Sequence, residues 1–363
     1  MKRPAKHLSP IRSFAIASLL SVPLPALLEP LVGIGLDHCN HVHAQEANAD
    51  QQRTLPGAKL PGAKLPGAGE VRKLHDGFKF TEGPAYDGRQ YLYFTDIPNN
   101  RILRTDVGGF PDRIGPAEVF IEESQSCNGL MFDGNGKLLG CQMKGNVVSI
   151  DIASKKVTLL ANRYQGKPFN ACNDLVVDQQ GGIYFTDPRY AAPEPWPQGI
   201  EAFYYRNSEG VVSRLGENLI APNGIILSPD EKTLYIVPSM QKEIMAYRVE
   251  YPGRLSDEKV FFEIRQPKGK STSGGDGLSI DVEGNLYVTT DLGVQCVSPK
   301  GELLGVIEFP EQPANCAFGG PGNKVLFATC RTGLYAVPMP IAGHVFTGRV
   351  RDVGVQGSGV SDK

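Results

Sequence analysis

Histidine, tryptophan and charge of one sign are scarce in this 363-residue chain, and each scarcity removes a class of function. Of 6 histidines, His38, His41 and His43 crowd beside Cys39 near the N-terminus and read as part of a leader. His75 and His344 are then the only ones left in the folded region. With no CxxC spacing among the 7 cysteines, a soft transition-metal centre of zinc type has no framework. No GxSxG elbow is present, so a serine triad is equally unsupported. Basic and acidic residues number 37 and 39, a formal net charge of -2 that gives no field for a polyanion and excludes nucleic-acid binding. Nor does any long amphipathic helical pattern appear, which points away from α and α/β classes.

What the chain does have begins with a leader. Lys2, Arg3, Lys6 and Arg12 precede an apolar stretch from Phe14 to Leu28, and Val42-His43-Ala44 offers a cleavage site before Gln45. Residues 1–44 are therefore expected to be a secretion signal and the mature protein secreted or periplasmic. Pro23, Pro25 and Glu29-Pro30 interrupt the stretch and weaken the rival reading of a permanent membrane anchor. Leu55–Gly69 reads LPGAKLPGAKLPGAG, with a proline and a glycine in every period, so residues 45–70 are expected to be a disordered tether. Once Cys39 leaves with the signal, six cysteines remain. Cys127/Cys141 and Cys316/Cys330 each flank one expected hairpin, so local bridges and free buried thiols are both open.

The organising signal is a repeat. EGPAYDGRQYLYFTD from Glu82, NGLMFDGNGKLLGCQ from Asn128 and NDLVVDQQGGIYFTD from Asn173 share one grammar. NGIILSPDEKTLYIVPS from Asn223, DGLSIDVEGNLYVTTD from Asp276 and NCAFGGPGNKVLFATC from Asn315 follow it too. Each is a polar head, a short apolar strand, a turn and a second strand, and successive heads lie 39 to 53 residues apart, the interval of a four-stranded propeller blade. The fold expected is all-β: a six-bladed β-propeller over residues 71–355, with 356–363 a flexible tail. His344–Val353 is expected to close the ring by pairing with strand material near Val71–Phe80, because closure removes an exposed edge.

First strands lie nearest the axis of a propeller, so the six heads converge at one mouth of the channel. Each NG or DG taken alone reads equally well as a turn; six in register read as a site. Glu82, Asp276 and the amides of Asn128, Asn173, Asn223 and Asn315 are hard oxygen donors suited to Ca²⁺, or to another oxygen-seeking divalent cation. Such a site suits hydrolysis at an electrophilic carbonyl, with Asp276 orienting or deprotonating water and Asn128 and Asn173 holding substrate oxygens. A cation beside Asp276 weakens it as a base, which fits a reactive ester such as a lactone better than an amide.

With these residues in place, the chain resembles the gluconolactonase, regucalcin and senescence marker protein family across roughly Leu74 to Val337. EGPAYD, CNDLVVDQQGGIYFTDPRY, APNGIILSPDEKTLYIVPS and GGDGLSIDVEGNLYV carry the likeness in combination. The resemblance implies a six-bladed propeller with an axial divalent cation and hydrolysis of sugar lactones. By motif it makes Glu82, Asn173, Asn223 and Asp276 the metal ligands and Asp276 also the catalytic carboxylate. Asn128, Asn173 and Asn315 become substrate contacts. Two positions depart: Ala171 stands where animal members carry an arginine, and Gln142 lies where many bacterial members carry a histidine. Tyr190–Gln198, with Trp196 among three prolines, is read as an insertion that overhangs the pocket. The ligand expected is a small lactone or ester, with no obligate protein partner. The rivals are a phosphotriesterase-like hydrolase and a non-enzymatic binding propeller with structural calcium.

Overall fold

The computed structural model describes residues 64–270 and 274–353. The expected signal, the tether up to residue 63 and the tail from 356 lie outside the described residues. Among the described residues there is no α-helix, and no helix long and apolar enough to cross a membrane.

Among the described residues six four-stranded antiparallel sheets form the blades, and a two-stranded hairpin pairs Arg163–Tyr164 with Lys167–Pro168. Blade 1 runs from Thr81–Tyr86 through Glu118–Ile121, blade 2 from Cys127–Phe132 through Val157–Ala161, and blade 3 from Leu175–Val177 through Val212–Gly216. Blade 4 runs from Pro222–Leu227 through Arg254–Glu263 and blade 5 from Leu278–Ile280 through Leu303–Ile307. Blade 6 takes three strands from Pro313–Gly319 through Gly333–Pro338, and its fourth, Arg72–His75, from the start of the domain.

A repeated side-chain device sets the first hairpin of the blades. Asp87, Asp133, Asp178 and Asp281 each follow a first strand, and the Oδ1 of each accepts backbone N–H groups two and four residues ahead. Asp133 takes Asn135 at 3.0 Å and Lys137 at 2.9 Å; Asp281 takes Glu283 and Asn285, both at 2.9 Å. This aspartate turn lets a polar residue satisfy backbone that the ladder leaves unpaired. In blade 4 the Ser228 Oγ, accepting from Thr233 N at 3.0 Å, does the same work. The second strands then pack aromatic residues between blades: Tyr93 meets Phe132 of blade 2 edge-on at 5.3 Å, and Tyr287 of blade 5 meets Phe318 of blade 6 edge-on at 5.0 Å. Tyr93, Phe94, Tyr184, Phe185 and Tyr287 are fully buried, and each such side chain contributes about 1.5–3 kcal/mol of burial.

Closure differs from expectation. The ring is sealed by Arg72–His75 pairing with Gly333–Pro338, with Arg72 opposite Ala336 and Lys73 opposite Tyr335, not by His344–Val353. The C-terminal segment instead straps the end of the channel where the aspartate turns lie. His344 N donates to Ile280 O at 2.9 Å, Gly134 N to Gly348 O at 2.7 Å, and Val350 N to Asp133 Oδ2 at 3.0 Å. The segment itself offers only backbone groups to these bonds, one of them to the Asp133 carboxylate, so no pattern in its own side chains announces them. The tether also ends sooner than expected. Lys64 bridges to Val306, Leu65 is buried with its N–H on Val306 O, and Gly69 N donates to Pro338 O at 2.8 Å. The last LPGA unit is thus docked on blades 5 and 6, because its leucine finds an apolar cluster there.

The cysteines settle to one of the two open alternatives. Cys127, Cys141, Cys172, Cys296, Cys316 and Cys330 are all free and buried, so neither local bridge forms.

Candidate active site

The six heads sit where the first strands meet the channel. In blades 1, 2, 4 and 6 the ladder between first and second strand breaks register at this point, between Glu82 and Ala85 in blade 1 and between Cys127 and Leu130 in blade 2. In blades 3 and 5 the strand begins two residues after the head. The backbone released from the ladder pairs across blades: Gly129 N donates to Asn173 O at 2.8 Å, Gly224 N to Asp276 O at 3.2 Å, and Gly277 N to Ala314 O at 2.8 Å. Threonines in the second strands add to this lacing. Thr95 Oγ1 donates to Asn128 O at 3.3 Å, and Thr186 Oγ1 to Asn223 O at 2.8 Å.

The lacing explains the glycine that follows most heads. Gly83 has φ +49°, and a Cβ there would overlap the carbonyl oxygen of Asn128 in the next blade; at Gly277 it would overlap the Asn315 side chain. Blades 3 and 6 carry Asp174 and Cys316 in that position instead.

Five of the six heads, Glu82, Asn128, Asn173, Asn223 and Asp276, line one cavity of about 390 Å³ at the mouth of the channel. Asn315 does not line it. It faces a deeper cavity of about 810 Å³ between the ring and the C-terminal strap, together with Asp174, Leu130, Ile225 and Phe346. There its amide stands near the carboxyls of Glu82 and Asp174 and opposes the rise that burial imposes on each. Its Oδ1 also accepts from Cys316 N at 2.8 Å.

Burial dominates the electrostatics. Glu82, only 3% exposed, has its carboxyl pushed up to about 7 by burial, against the opposing bond from Gly83 N at 2.8 Å. Asp276 is raised well above the usual carboxylate range by burial first and by the neighbouring Glu82 second; the Arg331 charge and then the Asn223 amide oppose the rise. Asp174, with no signal in the repeat beyond standing where glycine is the rule, is raised to about 7 by burial. Two carboxyls facing one buried cavity repel each other when both are ionised, and a shared cation removes that cost. Among the described residues no cluster of three or more His, Cys, Asp or Glu side chains could hold a metal. The side chains that do meet at the mouth, two carboxyls and three amides, are oxygen donors of the kind a hard divalent cation takes together with water, with no sulfur or imidazole among them.

Tyr190, Ser239 and Arg331 are among the other residues that line the mouth. Tyr190, at the start of the expected overhang, reaches the ring: Asn223 Nδ2 donates to its hydroxyl at 3.2 Å and to Ser239 Oγ at 3.0 Å. Burial of that phenol pushes it up to about 12. Trp196 does not line the mouth; it stacks under the Arg189 guanidinium at 4.3 Å. The third is Arg331, on the turn after the second strand of blade 6, which lines the cavity and was not foreseen. Of the two departures, Ala171 is buried, its N–H on Asp187 Oδ1 at 2.8 Å, and Gln142 donates to Ser124 O at 3.1 Å.

Comparison with known proteins agrees with this architecture. A gluconolactonase of Zymomonas mobilis is 29% identical over 281 residues, covering 71% of this chain and 78% of its own. The solved structure of a gluconolactonase from Xanthomonas campestris superposes with a TM-score of 0.67 at 29% identity, covering 77% of this chain and 91% of that one. A calcium-binding regucalcin from Agrobacterium tumefaciens, 20% identical with a TM-score of 0.64 over 80% of this chain and 99% of its own, shares the fold. Residues 80–332 match the sequence profile of the SMP-30/Gluconolactonase/LRE-like region, and the chain belongs to that family.

Proposed function

We propose that this protein is a cation-dependent hydrolase that opens sugar lactones at the mouth of the propeller channel. The observation that carries the reading is the meeting of Glu82, Asn128, Asn173, Asn223 and Asp276, from five blades, around one cavity of about 390 Å³. A cavity of that size suits a single sugar ring. The gluconolactonase relatives at 29% identity support the same substrate class.

Glu82, Asn173, Asn223 and Asp276 would hold the cation, Ca²⁺ by the chemistry of the donors, through their side-chain oxygens. When bound it would supply positive charge to polarise the lactone carbonyl and to stabilise the oxyanion formed as water attacks. The chain's own residues do the rest. Asn128 and Asn173 offer amide donors and acceptors to the sugar hydroxyls. Asp276 orients the attacking water and accepts its proton as the new C–O bond forms, then returns that proton to the ring oxygen as the ring C–O bond breaks, so that the ring oxygen leaves as a hydroxyl. Tyr190 and Ser239 hold the Asn223 amide in place, and the Tyr190 ring covers one side of the mouth.

The test is a pH-indicator assay over aldonolactones and phosphotriesters, with chelator and with calcium restored. Lactone turnover should vanish with chelator and return with calcium. Asp276→Asn should lower kcat by about 10²–10⁴-fold, the scale of a lost general base, while the domain stays folded. Phosphotriester turnover with lactones untouched would replace this reading, as would full lactone turnover in the variant.

A further inference from the structure

Arg331 is the one positively charged side chain lining the mouth cavity among the described residues. Its guanidinium stacks on Phe80 at 4.9 Å, and its Nη2 donates to Gln312 Oε1 at 2.6 Å. Phe80 is half-buried and Gln312 exposed, so the group is held on the solvent side of the mouth, within reach of the charge of Glu82 and Asp276. No ion pair holds it: among the described residues no carboxylate lies within salt-bridge distance of Arg331. The neighbouring rim carboxylate, Asp291, instead takes Lys270 Nζ at 2.8 Å and Gln312 Nε2 at 2.6 Å.

A guanidinium has five N–H donors in a fork that matches a carboxylate. One bond to Gln312 orients that fork and leaves donors over for a ligand. The charge count points the same way. A divalent cation balances Glu82 and Asp276, Lys270 balances Asp291, and Arg331 stands in excess of that balance, with its field reaching Glu82 and Asp276. A positive charge held on a rigid stack at the rim of a concave site is placed to read the end of the substrate farthest from the reacting carbonyl.

The geometry points to Arg331 as a specificity-determining residue that selects lactones carrying a carboxylate at the end remote from the lactone carbonyl, that is, lactones of sugar diacids. This rests on the lactonase reading above and names its substrate class.

The test uses the γ-lactones of D-gluconic and D-glucaric acid, which differ only in a hydroxymethyl or carboxylate group at C6. The calcium-loaded full chain should favour the diacid lactone by about 10- to 100-fold in kcat/KM, the range of one charge-assisted bidentate contact. Arg331→Gln should bring that ratio to about one, and Arg331→Lys should keep part of it. A wild-type ratio near one, or an unchanged ratio in Arg331→Gln, would overturn the assignment. Calorimetric titration with D-glucarate and D-gluconate reads the same contact without turnover. Tighter glucarate binding, lost in Arg331→Gln, supports the assignment, and equal binding refutes it. If neither lactone is hydrolysed, the lactonase reading fails and the titration still decides the role of Arg331.

Discussion

Calcium and protons should compete for the mouth. Burial holds the Glu82 carboxyl at about 7 instead of its ordinary 4.5, and Asp276 is raised further by burial and by Glu82. Both must be ionised to act as ligands, so each cation bound below pH 7 displaces about one to two protons. The apparent affinity for calcium should therefore rise about 10- to 100-fold per pH unit between pH 5.5 and 6.5 and flatten above the higher of the two transitions. Stability follows with a definite sign. A carboxyl raised in the folded state holds its proton where the unfolded chain has lost it, so the cation-free protein loses stability as pH rises from about 4.5 to 7. For Glu82 alone that loss is about 3 kcal/mol. Calcium at a hundredfold over its dissociation constant restores about 2.7 kcal/mol, or about 4 °C in Tm for a domain of this size. Differential scanning calorimetry at pH 5.5 and 7.5, with and without calcium, reads both effects. A calcium shift in Tm of equal size at the two pH values would refute the placement of Glu82 and Asp276 around the cation.

Two further predictions bear on the scaffold. Gly83→Ala should destabilise the domain by about 2–4 kcal/mol, combining the left-handed backbone at φ +49° with overlap of the Asn128 carbonyl, and thermal unfolding within 0.5 kcal/mol of wild type would contradict the interblade packing. In a Cys39→Ser variant, a thiol reagent at pH 8 should find no reactive cysteine in the native protein and six in denaturant, since burial pushes Cys127 and Cys296 up to about 12 and raises the other four as well. Fewer than six in denaturant would reveal bridges.

The blades and their heads were legible because one unit recurs six times, and a period is carried by residue type. Asp133-Gly134 and Glu283-Gly284 mark their turns in sequence and form them in the structure. Asp174 left a faint sign, an ND where the other polar heads are mostly followed by glycine. Thr95, Thr186 and Thr289 recur in step as well, yet their role as laces appears only when the next blade is beside them. What sequence could not show depends on contacts without a side-chain code. The strap of residues 344–353 offers mainly its backbone to the ring, where Asp133, Asn135 and Arg206 meet it with side chains, and the closing strand Arg72–His75 has no pattern that chooses Gly333–Pro338 over another edge. Arg331 sits in a turn outside the repeated heads, and only the curvature of the ring brings it to the mouth.

Diffraction from a calcium-soaked crystal, recorded at a wavelength where calcium scatters anomalously, tests the central claim most directly. A single peak should lie within about 2.3–2.6 Å of side-chain oxygens from Glu82, Asn173, Asn223 and Asp276. A mouth without a peak at millimolar calcium, or a peak bound elsewhere on the propeller, would contradict it.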